Sequence, residues 1–207
     1  MKLKPNQKKL TAVSTALVVS FTVAQQASAS MLLLFSESGS DVVLNVSGTL
    51  SLAGLSESSA GASLGGSILL DTVNEQLQLG SGTNAGVNRY VVNVANSVFN
   101  SSESLVGTSD SWTSNTNSIR FQQNNGQILV DDAIDEGDIL TVTSTHTFAG
   151  RSLSDFGLTV GETTVWLENT NVTGEGRQVI VSAIPELSSS ALLGLAGMVT
   201  LLRRRRS

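Results

Sequence analysis

The 207-residue chain has no cysteine, which excludes a disulfide framework and thiolate metal sites. Its single histidine is His146, so any Ser-His-Asp scheme or imidazole-held metal would have to be built on that one side chain. Cations are scarce in a particular way. Lys+Arg number 12 against 17 Asp+Glu, for a net charge of -5, and most of the basic residues sit at the ends. Lys2, Lys4, Lys8 and Lys9 open the chain, and Arg203, Arg204, Arg205 and Arg206 close it. Between Ser30 and Ala183 there is no lysine. Only Arg89, Arg120, Arg151 and Arg177 face sixteen acids there, so this stretch of 154 residues has a formal charge of -12. A body of that charge repels phosphate backbones, which excludes nucleic-acid binding. Aromatics are also few, with eight in the same stretch, so the core is expected to be modest. At this length one globular domain is expected.

What is present is clearest at the two ends. A charged stretch from Met1 to Lys9 precedes an apolar one from Leu10 to about Ala24, and Ala27-Ser28-Ala29 follows as an A-x-A cleavage site before Ser30. These are the three parts of a secretory signal. At the other end, Ile184-Pro185-Glu186-Leu187 leads through three serines into an apolar run from Ala191 to Leu202, then into four arginines. The run is shorter than the ~20 residues of a bilayer span, while the arginine cluster is what holds a C-terminus in the cytosol. The pattern predicts a short stop-transfer segment, with Pro185 keeping the junction extended.

This tail resembles the PEP-CTERM sorting domain of exported proteins in Gram-negative bacteria, with Pro185-Glu186-Leu187 standing where that family usually has Pro-Glu-Pro. The resemblance implies three segments: a signal peptide over 1–29, an ectodomain over 30–183, and a sorting segment over 184–207. It also implies an exosortase, a membrane cysteine transpeptidase, as the partner that cuts near Pro185, Glu186 and Leu187. A transient inner-membrane intermediate would precede display at the cell surface or in the matrix, in association with extracellular polysaccharide. The LSDFGLTVG stretch from Leu153 to Gly161, followed by Thr164-Val165-Trp166, is similar to a segment near the end of many such ectodomains and implies turns at Gly157 and Gly161 before a penultimate strand.

The body itself alternates with period two. Val42, Leu44 and Val46 fall on one face, as do Tyr90, Val92 and Val94. Ile119 and Phe121 flank Arg120, and Val179 and Val181 flank Ile180. The longest such stretch runs from Asp138 to Phe148, with Thr141, Thr143, Thr145 and Thr147 on one face and Leu140, Val142, Ser144, His146 and Phe148 on the other. Asn125-Gly126 between Phe121 and Ile128 predicts a hairpin with a type I′ turn. The Ser- and Asn-rich stretch from Asn96 to Ser118 reads as loops or weak edge strands. Together these predict an all-β, antiparallel β-sandwich.

Candidate chemistry is thin. Gly61-Ala62-Ser63-Leu64-Gly65 satisfies G-x-S-x-G, but strand-like sequence follows it where a nucleophile elbow needs a helix. With His146 it would serve a secreted hydrolase, the third-ranked reading. Asp131, Asp132, Asp135, Glu136 and Asp138 offer oxygen ligands to Ca²⁺ without EF-hand spacing. Trp112 and Trp166 are candidate sugar-stacking platforms. The threonine row could face ice or a crystalline sugar, although threonine is simply favoured on exposed strands. The expectation is a non-enzymatic exported surface or matrix protein without a resident cofactor. The alternative is a carbohydrate- or Ca²⁺-dependent adhesive module, with ice as one such surface.

Overall fold

The computed structural model describes residues 30–58, 69–71, 74–80, 86–99 and 104–184. Ala27, Ala29, Ser63, the Pro185-Glu186-Leu187 motif and the terminal arginines lie outside the described residues.

Strands dominate. One sheet contains β1 (Met31–Ser38), β2 (Asp41–Ser51), β7 (Asn93–Val94), β9 (Thr108–Ser114), β12 (Ile139–Phe148), β13 (Thr163–Glu168) and β14 (Gln178–Ile184), in the order β7-β13-β14-β1-β2-β12-β9. The other contains β3 (Glu57–Ser58), β4 (Leu69–Asp71), β5 (Gln76–Gly80), β6 (Val87–Val91), β8 (Ser104–Val106), β10 (Ser118–Gln122) and β11 (Gln127–Asp131), in the order β3-β6-β11-β10-β5-β4-β8. Pairing is antiparallel except between β1 and β14, which run parallel from Met31↔Val179 to Ser36↔Ile184. The expected purely antiparallel arrangement is corrected at that pair. A parallel pair cannot be closed by a tight turn, and here nearly the whole body intervenes between its two strands.

The alternation read from the sequence matches the burial. Val42, Leu44 and Val46 on β2 are buried, and on β12 Leu140, Val142, Ser144, His146 and Phe148 face inward while Thr141 and Thr143 are exposed. Tyr90 and Val92 are buried but Val94 is exposed, because the chain leaves the second sheet after Val91 and joins the first at Asn93. The hairpin at Asn125-Gly126 forms, with Gln122 paired to Gln127. Its turn is not type I′, since Gly126 has φ 58° but Asn125 is not in the left-handed region. The loop instead spans the four residues Gln123 to Gly126, closed by the Gly126 N–H donating to the Gln123 carbonyl at 2.9 Å. The weak-strand reading of Asn96 to Ser118 holds in part: β8 and β9 are edge strands, one in each sheet.

Both sheets feed one hydrophobic core, with Phe35, Leu44 and Val142 from the first and Leu77, Phe121 and Ile128 from the second. The few aromatics are concentrated there. Phe148, Phe156, Phe35, Phe99, Trp166 and Phe121 form one continuous chain of ring contacts, with centroids 5.0 to 5.9 Å apart. Edge-to-face and tilted pairs of this kind add about 0.5–1.5 kcal/mol each beyond the area they bury. Phe156 comes from the short 3-10 helix Leu153–Phe156, so the LSDFG stretch supplies a core ring as well as a turn.

Candidate functional site

Among the described residues, the sequence-predicted site residues do not gather in one place, although Trp112 and His146 come together. Trp166 is fully buried on β13, packed against Phe99 and Phe121, and its indole Nε1–H donates to Gln123 Oε1. Neither ring face is open to a sugar, so the expected stacking role at Trp166 is corrected: its alternation could have pointed either way, and the inward choice is set by the opposite sheet. Trp112 on β9 is half-buried and packs on the core margin, 6.1 Å from the His146 ring. Register pairs Trp112 with the buried Ser144, which puts it on the inner face of the sheet.

His146 is fully buried, with Nε2 2.8 Å from Ser144 Oγ. It has no access to solvent, so a substrate cannot reach it without opening the sheet edge.

The acidic segment forms the connection from β11 to β12, and its carboxylates act as turn acceptors. Asp131 accepts from the Ala133 N–H at 3.1 Å and from Asn117 Nδ2 at 3.0 Å, and Asp138 accepts from the Asp135 N–H at 2.9 Å. Among the described residues no group of three or more His, Asp or Glu side chains is gathered in a way that could hold a metal ion. Asp131, Asp132, Asp135, Glu136 and Asp138, the expected Ca²⁺ set, lie along this segment without being drawn into such a group. Short polar side chains in turns bond their own backbone, as Asp131 and Asp138 do here.

The threonine row is wider than one strand. Thr143 is flanked by Thr113 on β9 and Ser47 on β2, Thr145 by Ser111 and Asn45, and Thr141 by Thr49. Thr145 donates its hydroxyl to Asn45 Oδ1 at 2.9 Å. The result is a hydroxyl- and amide-bearing outer face three strands across. A register shift between Thr145 and His146 interrupts it at β9, and bulges of this kind bend and twist a sheet. Trp112 and this row therefore lie on opposite faces of one sheet.

A shallow cavity of about 200 Å³ is lined by Ser97, Val98, Leu158, Glu162, Thr164 and Val181. Among the described residues Glu162 is the only titratable side chain in its lining, which provides no nucleophile–base pair there. Nearby, Glu75 sits at φ 46° with Oε1 accepting from the Ser97 hydroxyl, while its Oε2 is buried without a partner. Burial pushes this carboxyl above the usual carboxylate range, partly offset by the bonds from Ser97 and Val98.

One grouping escaped the sequence reading. Arg89 and Arg120, counted there only as charge balance, lie on the same face of the second sheet, each directly paired with Leu129. The signal available was the placement of Arg120 between two inward residues, Ile119 and Phe121, which forces it outward; that Arg89 joins it depends on register. No family model, no curated protein and no solved structure matches the chain, so the likeness to the PEP-CTERM family rests on the residues of the two ends and of the Leu153 to Trp166 stretch.

Proposed function

We propose that the chain is an exported, non-enzymatic surface or matrix protein. Its body is a β-sandwich, carried out by the signal peptide over 1–29 and held for exosortase processing by the segment over 184–207. One observation supports this reading above the others. The first strand begins at Met31, next to the expected cleavage site, and the last strand ends at Ile184, next to Pro185. Removing both cationic ends would therefore cost the described sheets no strand. β14 lies within its sheet, between β13 and β1, so a cut at Pro185 to Leu187 leaves its pairing whole. The complete burial of His146 speaks for a structural rather than catalytic histidine. The partner outside the cell, on this reading, is extracellular polysaccharide.

Mass spectrometry of cell-surface material tests the reading. The expected chains start at Ser30 and lack the terminal arginines; intact tails throughout would sink the sorting claim. A second reading, an adhesive module, is favoured by the three-strand hydroxyl face around Thr143. It predicts glycan or ice-surface binding that is lost when Thr143 and Thr113 are both changed to Val.

A further inference from the structure

The cavity of about 200 Å³ lies against the inner face of the first sheet, where Thr164 on β13 is paired directly with the buried Val181 on β14. Val181 and the half-buried Leu158 give it an apolar floor, and Ser97, Thr159, Glu162 and Thr164 put three hydroxyls and one carboxylate around that floor. Its walls are held by bonds that need no ligand. The turn from Thr159 to Glu162 is closed by the Glu162 N–H donating to the Thr159 carbonyl at 3.1 Å. That turn is fastened to the last strand, with the Gly161 N–H donating to the Ala183 carbonyl at 2.7 Å and the Ala183 N–H to the Glu162 carbonyl at 3.0 Å. On the opposite wall the Ser97 hydroxyl donates to Glu75 Oε1, and Asn96 Nδ2 donates to the Val165 carbonyl at 2.8 Å. A cavity whose walls are fixed in this way costs a ligand little ordering.

The polar groups at the mouth are left open. Among the described residues the Glu162 carboxylate makes no hydrogen bond or ion pair, nor do the hydroxyls of Thr159 and Thr164. Ser97 gives its proton to Glu75 and keeps its lone pairs for a donor. No described lysine or arginine lines the cavity, and the body around it has a formal charge of -12. The field and the one charged lining group therefore both favour a cation. One carboxylate and three hydroxyls are too few for Ca²⁺, which takes six to eight oxygens. The volume is below the ~300 Å³ at which sites for drug-sized ligands begin, so the cation has room for about one ring.

We propose that this cavity binds a primary ammonium group carried on a single hydroxylated ring, the chemistry of one amino-sugar unit with its amine free. The ammonium pairs with the Glu162 carboxylate in a charge-assisted hydrogen bond. The ring hydroxyls exchange hydrogen bonds with Ser97, Thr159 and Thr164, and the C–H face of the ring lies on Leu158 and Val181. A neutral sugar would leave the carboxylate partly desolvated without a counter-ion, and a bare alkylammonium would leave the three hydroxyls unmatched. This inference does not rest on the export reading, because every lining residue belongs to the folded body wherever the chain resides.

The test titrates the purified full-length chain in mild detergent with glucosamine, N-acetylglucosamine, glucose and ethylamine. Ligand-observed NMR follows binding at one ionic strength and at a pH where the amines are protonated. Glucosamine is expected to bind saturably in the millimolar range, and each of the other three about tenfold or more weaker. Glu162→Gln, which keeps the shape of the side chain, should weaken glucosamine about tenfold or more. Thr164→Val should weaken it about threefold. Glu136→Gln, which removes one charge from the exposed β11–β12 connection, should leave the affinity unchanged. Equal affinity for N-acetylglucosamine or glucose would show that the ammonium is not read, and equal affinity for ethylamine would show that the ring is not. Either result overturns the proposal, as does a wild-type chain without saturable binding, an unchanged affinity in Glu162→Gln, or an equal loss in Glu136→Gln.

Discussion

The Trp166 indole donates its Nε1–H to the Gln123 side-chain carbonyl, tying the penultimate strand of one sheet to the β10–β11 turn of the other. Gln123 is itself buried, so the bond is made where water cannot replace it. Its neighbours add to the tie: the Gln123 N–H donates to the Glu75 carbonyl, and the Gly126 carbonyl accepts from Val92. One turn thus meets the strand that switches sheets, the β5 turn and the core tryptophan. Gln123→Leu should leave the indole N–H unpaired and cost about 1–3 kcal/mol. Trp166→Ala should cost about 3–5 kcal/mol, through the lost rings and the cavity. Urea melts of the two variants check the order; equal stability of Gln123→Leu and wild type would remove the tie from the account.

Gly48 lies at φ 118°, and a Cβ there would sit 2.2 Å from the Ser30 carbonyl oxygen. That oxygen belongs to the residue expected to begin the exported chain. Gly48→Ala should therefore destabilise by about 2 kcal/mol or more, from backbone strain and overpacking together. The measurement is the Tm of the variant, and a change within error would contradict the close approach.

Glu168 accepts from Arg177 Nε at 2.9 Å and from Gln178 Nε2 at 2.9 Å. These bonds, the arginine's first, hold its carboxyl below the usual 4.5. A depressed carboxylate contributes stability that is complete above the unfolded value and is lost as pH falls through the folded one. Arg177→Ala should therefore lower Tm at pH 7, and the difference should close as pH drops below about 4.5. The side chains are 37% and 21% exposed, so the effect at pH 7 is held to about 1 kcal/mol or less.

Glu75 has the opposite sign. Burial raises its carboxyl above 4.5, so the folded state holds the proton more tightly and the charged form works against folding as pH rises through that range. Glu75→Gln should raise Tm at pH 7 and make no difference below pH about 4.5. A pH series of thermal melts on both chains separates the two glutamates.

The tail makes a prediction of its own. If Pro185, Glu186 and Leu187 are the exosortase motif, Leu187→Pro should increase the processed fraction and Pro185→Ala should reduce it. Neither change should affect the melting of the body, since both positions follow the last strand. Immunoblots of surface fractions would read the processed and full-length bands.

Much of the fold was legible because β12 is a long, clean alternation: ten residues in which every second one is buried and the others are exposed or half-buried. β1 was harder to read. Met31 to Phe35 is continuously apolar, and its alternate residues Leu32 and Leu34 are half-buried rather than polar, so the period is masked. The hairpin at Asn125-Gly126 was visible from its dipeptide, but the turn type was not, because the strand ends that set loop length are fixed by pairing with β5 and β6. The candidate sites were the least legible. The acidic segment had the composition of a cation site, but that Asp131 and Asp138 accept from the N–H groups of Ala133 and Asp135 was not legible from it.

The amino-acid sequence alone determined the segregation of charge, the strand character of the body and which face of most strands turns inward, since these depend on composition and on a period of two along the chain. Tertiary structure decided the rest. It set the parallel seam between β1 and β14, turned Trp166 inward, spread the threonine row over three strands, and placed Arg89 and Arg120 on either side of Leu129. The physical reason is that strand register is a non-local choice: residues far apart in sequence become neighbours only when the sheets pair around a shared core.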